Sequence, residues 1–145
     1  MTSVTHVLAT SLGVRVLKLT GNDAVLAYVF GVGVDIDHAF KAPFYLRHVG
    51  LTRKLGYYWR TSLQEPVALF WIVPLCFFLG TWVPVLFFSI HVAMDYAVSF
   101  EKMPWYPYSL RVTQGFLVGV SDKIKEGVLL TALICTHLLL FLAPL

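Results

Sequence analysis

The sequence predicts an all-α fold, a polytopic transmembrane bundle of about five helices, some short or kinked, in one integral membrane domain over residues 1–145. Composition is the first reason. Of the 145 residues, 58% are hydrophobic and 13% are charged, whereas a soluble domain averages about 25% charged residues. Size is the second reason, because a chain this short cannot hide so much apolar surface from water. Lipid is therefore the solvent that fits the chain.

The apolar residues fall into five stretches, each of which predicts a helix. Several are shorter than the ~20 residues that a helix perpendicular to the bilayer needs, so the first pair should be tilted or only partly immersed. Pro74 and Pro84 should kink the third and fourth helices, since neighbouring helices can satisfy the freed backbone groups. The stretches are 3–19, 24–38, 66–79, 82–98 and 128–142.

Basic residues concentrate in two polar connections, 39–64 and 99–124. Loops rich in Lys and Arg stay in the cytoplasm, so both connections and the N-terminus are predicted to be cytoplasmic, and the C-terminus to lie outside. Within the second connection, 109–120 is a candidate for an amphipathic helix in the membrane interface. The G-x-x-x-G spacing of Gly115 and Gly119 is a weak packing signal that leaves a homo-oligomer open.

This topology places acidic and histidine side chains from four segments at the cytoplasmic face. Asp95 follows His91 by four residues, so the two share one side of a helix. Ionisable groups within a membrane are costly and usually functional. Clustered carboxylates repel one another unless a cation or a proton neutralises them, so a divalent metal is the simplest explanation. The candidate ligands are His6, Asp35, Asp37, His38, Glu65, His91 and Asp95.

The same residues also have structural interpretations, which the sequence leaves open. The run 35–38 could be solvated charges at a helix end, and His91 with Asp95 could be a hydrogen-bonded pair inside a bundle. Glu65, next to Pro66, could be an acid favoured by the helix dipole. Their common level at one face of the bilayer is what favours a metal site over these separate explanations.

The basic residues of 39–64 allow two interpretations. They either only fix the orientation of the chain, or they also hold an anionic substrate. Arg47 and Arg60 are the substrate-binding candidates, because a guanidinium grips phosphate with a planar fork of donors. The net charge of +3 is too small to indicate nucleic acid as a partner, and the sequence shows no nucleic-acid-binding motif.

Two segments resemble a known family. GVGVDIDH at 31–38 resembles the G-x-x-x-P-D-x-D-H signature of the membrane-bound metal-dependent hydrolase-like (YdjM-type) family. HVAMDYAVSFEKMPWYPYS at 91–109 is similar to the H-x-x-x-D block of that family and to the proline-aromatic segment after it. The resemblance covers most of 1–110 and implies a multi-helix membrane protein with a divalent-metal hydrolase site. The ligands that it implies are Asp35, Asp37, His38, His91, Asp95 and His6, which matches an early family histidine.

The chain departs from that family at two places. Val34 stands where the family has a proline, and the family's histidine-rich H-R-G-x-T-H-type block is replaced by WRTSLQEP at 59–66. Glu65 can substitute for a histidine ligand, because carboxylate and imidazole both bind Zn²⁺. Without that substitution the site lacks one metal or its catalytic function.

The leading hypothesis is a metal-dependent hydrolase in the plasma membrane of a prokaryote, with its site at the cytoplasmic face. Membrane lipids are the predicted partners, and an amphiphilic, phosphorylated lipid is the predicted substrate. One or two ions are expected; Zn²⁺ or Mn²⁺ fits best, while Fe²⁺ and Mg²⁺ stay open. Asp35 and Glu65 are the catalytic candidates, with Glu65 as the general base if it is not a ligand.

Two other functions stay open. A metal- or proton-coupled carrier also uses acids and histidines inside the membrane, although carrier sites usually lie at the midplane rather than at one face. A metal-stabilised assembly protein without turnover would have a closed site with no open coordination position.

Overall fold

The structure is a computed structural model that describes residues 2–37, 40, 43, 61–97, 102–117 and 119–142. Within these ranges the chain forms five α-helices, so the all-α prediction is confirmed there. Three short 3-10 turns lie between them, Gly33–Ile36, Ser62–Gln64 and Pro66–Ala68. The helices are α1 (Ser3–Val16), α2 (Gly21–Gly31), α3 (Leu69–Leu79), α4 (Val83–Tyr96) and α5 (Asp122–Leu142).

The largest differences from the sequence-based bounds are at the end of α2 and at the start of α5. α2 ends at Gly31 instead of continuing to residue 38, because Val32 leaves the helical region at φ −133° and ψ −44°. A glycine at each side of Val32 favours this break, since glycine is a poor helix former. α5 begins at Asp122 rather than at residue 128. Its first turn is polar and is supported by the ion pair of Lys125 with Asp122 at 3.1 Å, which a search for apolar runs does not detect.

The interfacial helix predicted over 109–120 is absent from the described part of that segment, and that prediction is wrong. The backbone there bonds to distant residues at two points. The amides of Lys102 and Thr113 each donate to the other's carbonyl oxygen at 2.8 Å. The amide of Phe116 donates to the carbonyl oxygen of Tyr96, also at 2.8 Å. These amides are therefore unavailable for a local helix.

Successive helices run in opposite directions. A left-handed Gly80, with φ of +68°, ends α3 and turns the chain into α4. α4 runs antiparallel to α1, because Gly13 lies against Phe87 while His6 lies against Asp95. A Cβ at Gly13 would come within 2.8 Å of the Phe87 ring, so only glycine lets the two helices approach this closely. This approach brings the start of α1 to the end of α4.

The core consists of two small clusters on either side of α4. Phe87 and Phe88 are both fully buried, and each belongs to a different cluster. Phe87 packs with Ala27 of α2 and Val83, and Phe88 packs with residues of α3 that include Cys76. α4 is therefore the central helix and is fixed on both sides.

α5 packs alongside α1 in the same direction. Oε1 of Glu126, in the first turns of α5, accepts a hydrogen bond from the amide of Thr2 at 2.9 Å. Towards the other end, Nε2 of His137 lies 3.0 Å from the carbonyl oxygen of Leu8. His137 thus joins the two helices far along α5. The start of α5 consequently lies at the same end of the bundle as the start of α1.

α5 has 21 residues and, by length and composition, is the one helix among the described residues that is long and apolar enough to cross a membrane. At 1.5 Å per residue it extends about 31 Å, close to the thickness of a bilayer's hydrocarbon core. Much of its apolar surface is open, with Phe141 77% exposed. α3 and α4 are apolar but shorter. The structure therefore supports one span directly.

Candidate metal centre

Four polar side chains meet at the end of the bundle where α1 begins and α4 ends. His6 comes from the second turn of α1, Asp35 from the 3-10 turn after α2, and His91 and Asp95 from the last turns of α4. His6, His91 and Asp95 are buried, and the side chain of Asp35 keeps 14% of its surface exposed. Three separate parts of the chain thus contribute to one small polar cluster.

The distances around His91 suit metal ligands better than a hydrogen-bonded pair. Nε2 of His91 lies 3.4 Å from Oδ1 of Asp35 and 3.7 Å from Oδ2 of Asp95. Both exceed the usual hydrogen-bond range of about 2.7–3.2 Å. Nε2 is buried and has no hydrogen-bond partner among the described residues. Ligand atoms of a tetrahedral Zn²⁺ site, about 2.0–2.1 Å from the metal, are separated by about 3.3–3.4 Å.

The other nitrogen of His91 fixes the orientation of the ring. Nδ1 lies 3.0 Å from the carbonyl oxygen of Gly31. A carbonyl can only accept, so Nδ1 carries the proton and donates it. The lone pair of Nε2 is then directed towards the carboxylates of Asp35 and Asp95. A hydrogen bond of this kind from the second ring nitrogen is typical of histidines that bind metals.

His6 lies against His91 and extends the donor set. The two imidazole rings stack with their centroids 4.1 Å apart and their planes at 23°. Nε2 of His6 lies 3.2 Å from Oδ1 of Asp95, while its buried Nδ1 has no hydrogen-bond partner among the described residues. A neutral imidazole offers one ring nitrogen with a lone pair and is the form that binds metals.

His6, Asp35 and His91 form a group that could hold a metal ion. Each of them offers one ligand atom, and the three atoms lie within 4.8 Å of one another. Asp95 adjoins the group through its contacts with both histidines. Two imidazoles with carboxylate oxygens are a donor set that suits Zn²⁺ and other first-row divalent metals. The residues present therefore fit a divalent cation.

Two further candidate ligands lie beside this group rather than in it. Oδ1 of Asp37 accepts a hydrogen bond from Nε2 of Gln64 at 2.6 Å, and its Oδ2 accepts from the hydroxyl of Thr61. Oε2 of Glu65 accepts from the hydroxyl of Tyr96 at 2.7 Å. In this arrangement protein donors bind both oxygens of Asp37 and one oxygen of Glu65. Ligand roles for Asp37 and Glu65 stay predictions.

Three predicted site residues lie outside the described part of the chain. They are the candidate ligand His38 and the candidate substrate-binding residues Arg47 and Arg60. Their roles therefore stay predictions from the sequence.

Sequence reasoning missed several buried polar residues near the cluster. Gln64 and Lys102 are fully buried, and Nζ of Lys102 lies 4.9 Å from the centroid of the Tyr96 ring, in range of a cation–π interaction. Tyr96 in turn bonds to Glu65. Gln64 directly precedes Glu65 and Tyr96 directly follows Asp95 in the sequence, and this was the available signal for these two residues. Hydropathy does not predict that Gln64 is buried, because this residue lies in a 3-10 turn of three residues, Ser62–Gln64, which is too short for a periodic pattern.

Comparison of the chain with models of known protein families, with curated proteins and with solved structures finds no match.

Proposed function

We propose that this chain is a membrane-bound, metal-dependent hydrolase that acts on an amphiphilic, phosphorylated lipid at the cytoplasmic face of the membrane. The observation that carries the proposal is the buried Nε2 of His91, which lies between the carboxylates of Asp35 and Asp95 at 3.4 and 3.7 Å. A buried nitrogen directed at acidic oxygens, but without a hydrogen-bond partner among the described residues, is best explained by a cation between them.

The residues that would hold the ion are His6, Asp35 and His91, with Asp95 as the adjoining carboxylate. A bound Zn²⁺ or Mn²⁺ would supply Lewis acidity, polarising a phosphoryl or acyl group and activating water. Asp35 has the more exposed of the two carboxylates, at 14% against 5% for Asp95, so substrate would approach from the side of Asp35. His91 and Asp95 close the opposite, buried side.

Glu65 is the general base in this proposal. It is buried at the same end of the bundle, directly after Gln64, whose amide contacts Asp35. Its carboxylate is held by the Tyr96 hydroxyl at 2.7 Å, which fixes its position. A general base must have a fixed position and must lie within reach of the proton that it takes up. The hydrogen bond from Tyr96 meets the requirement of a fixed position.

The membrane part of the proposal starts from α5, which is long enough to cross a bilayer. α1 runs parallel to α5 and in contact with it, so we infer that α1 enters the membrane in the same direction. The apolar helices α3 and α4 would complete a polytopic bundle. The metal group lies at the end from which the basic connection 39–64 leaves, and basic connections stay cytoplasmic. Arg47 and Arg60 of that connection would bind the anionic head of the substrate. The membrane in this proposal is the plasma membrane of a prokaryote.

The test is metal-dependent turnover by the full chain purified in detergent. Release of phosphate from phospholipid and polyprenyl phosphate substrates would be measured after chelation and after restoration with Zn²⁺ or Mn²⁺. Chelation and the substitution His91→Ala should each abolish turnover, whereas Asp23→Ala, an acid in the first turn of α2, should not. Turnover that survives both chelation and His91→Ala would disprove the proposal. An ion that is bound tightly without turnover would instead favour an assembly role.

A further inference from the structure

The carboxamide of Gln64 lies between two carboxylates. Gln64 is fully buried, and its Nε2 is 3.1 Å from Oδ1 of Asp35 and 2.6 Å from Oδ1 of Asp37. The carbonyl oxygen of Val34 is 3.3 Å away. All three neighbours are acceptors, so the amide nitrogen and not the amide oxygen must face them. The side chain therefore presents its two N–H groups where two negative charges converge.

The two carboxylates differ in what remains available to a metal. Asp37 accepts from Gln64 through Oδ1 and from Thr61 through Oδ2, so protein donors bind both of its oxygens. Asp35 accepts from Gln64 through Oδ1, and the same oxygen lies 3.4 Å from Nε2 of His91. Each carboxylate oxygen has two lone pairs, so Oδ1 of Asp35 can accept this hydrogen bond and still bind an ion.

Building on the proposed function, we infer that Gln64 takes the place of a second cation, so that the centre binds a single divalent ion. Neighbouring carboxylates repel each other unless something positive lies between them. In a two-metal site, where the ions are about 3.5–4 Å apart, a second metal would neutralise these carboxylates. Here the N–H groups of Gln64 lie between Asp35 and Asp37, where such a second ion would bind. Gln64 is thus a positioning residue that orients Asp35 towards the ion, as hydrogen bonds around metal ligands commonly do.

The experiment counts the ions that the full chain binds in detergent, with Mn²⁺ as the probe. Elemental analysis after gel filtration should find one Mn²⁺ per wild-type chain. Gln64→Ala removes the donor to Asp35 and should raise the Kd for Mn²⁺ by about 10–100-fold. Gln64→Glu keeps the size of the side chain but replaces the donor with a third carboxylate. It should bind two Mn²⁺ per chain at saturation and give the electron paramagnetic resonance spectrum of a coupled pair.

Leu63→Ala is the matched control, because Leu63 lies in the same turn and is 60% exposed. It should bind Mn²⁺ as the wild type does, and circular dichroism would verify that all variants are folded. Two ions in the wild type, an unchanged Kd in Gln64→Ala or one ion in Gln64→Glu would each overturn the inference while metal binding itself stood. A wild-type chain that binds no ion would overturn the proposed function together with the inference.

Discussion

The imidazole of His91 is held by the backbone of Gly31, whose carbonyl oxygen lies 3.0 Å from Nδ1. Gly31 is the last residue of α2, and it packs so closely on Thr10 of α1 that a Cβ at this position would overlap the threonine side chain. The orientation of a candidate metal ligand on α4 therefore depends on the contact between the first two helices.

Gly31→Ala should weaken metal binding as well as the fold. The added methyl group must push α1 and α2 apart at Thr10, and overpacking of this kind costs about 1–3 kcal/mol of unfolding free energy. The carbonyl then moves away from His91, and losing such an orienting hydrogen bond lowers metal affinity by about 10–100-fold. Thermal unfolding and Zn²⁺ titration of the same preparation measure the two effects.

Two further variants test whether the close contact of Gly31 with Thr10 causes the losses of stability and metal affinity. Gly127→Ala lies in α5, where an added Cβ meets no atom within 4 Å. It should leave metal affinity unchanged and raise stability by up to about 1 kcal/mol, because alanine is the better helix former. Thr10→Ala removes the hydroxyl nearest to the new methyl group and should recover part of the loss when combined with Gly31→Ala. A full loss in the combined variant would show that the close contact is not the reason.

Phe87→Ala should destabilise the bundle more than any substitution on its surface. The Phe87 ring is fully buried between α1, α2 and α4, and truncating a buried phenylalanine costs on the order of 3 kcal/mol. Phe78→Ala is the control, because Phe78 is 86% exposed on α3. Thermal unfolding in detergent should show a large decrease in Tm for the first variant only. Equal decreases would contradict the position of the core.

Much of the helical organisation follows from the apolar pattern alone. The apolar stretches overlap all five helices, and the turn at Gly80 lies where the glycine indicates. Hydropathy failed where hydrogen bonds to distant residues decide the structure. Residues 109–120 look amphipathic, but the backbone of Thr113 pairs with Lys102, and that of Phe116 bonds to Tyr96. The sequence does not indicate pairing at that distance.

The candidate centre was predictable where helical spacing determines geometry. Asp95 follows His91 by four positions on one helix, and the alternation of helix directions brings His6 to the same end. The role of Gln64 was not predictable, because a 3-10 turn between two helices has no periodic face to read. Asp37 was expected to be a metal ligand like Asp35. It lies two residues after Asp35, and its carboxylate instead accepts hydrogen bonds from Thr61 and Gln64.

Glu65→Gln should separate catalysis from metal binding. Glutamine can still accept a hydrogen bond from Tyr96, so the local structure should persist. A lost general base lowers turnover by about 10²–10⁴-fold. Because Glu65 lies outside the group of His6, Asp35 and His91, the number of bound ions should not change. Phosphate release and elemental analysis measure these two properties.

Tyr96→Phe is the companion variant. It removes the hydroxyl that holds Glu65 but leaves the carboxylate in place, so its turnover should lie between that of the wild type and that of Glu65→Gln. If Glu65→Gln instead releases the ion, Glu65 is a ligand and the general base must be sought elsewhere.

Opposite ends of the bundle should face opposite sides of the membrane. Thr81 lies in the turn between α3 and α4, and Lys123 is an exposed residue in the first turn of α5, at the end that carries the metal group. In a background with Cys76→Ser and Cys135→Ser, Thr81→Cys should react with a membrane-impermeant thiol reagent applied to intact cells. Lys123→Cys should react only after the cells are permeabilised, because its end of the bundle is cytoplasmic in the proposed topology. Reaction of both residues from the same side would exclude antiparallel spans for α4 and α5, and with them the polytopic arrangement on which the position of the site depends.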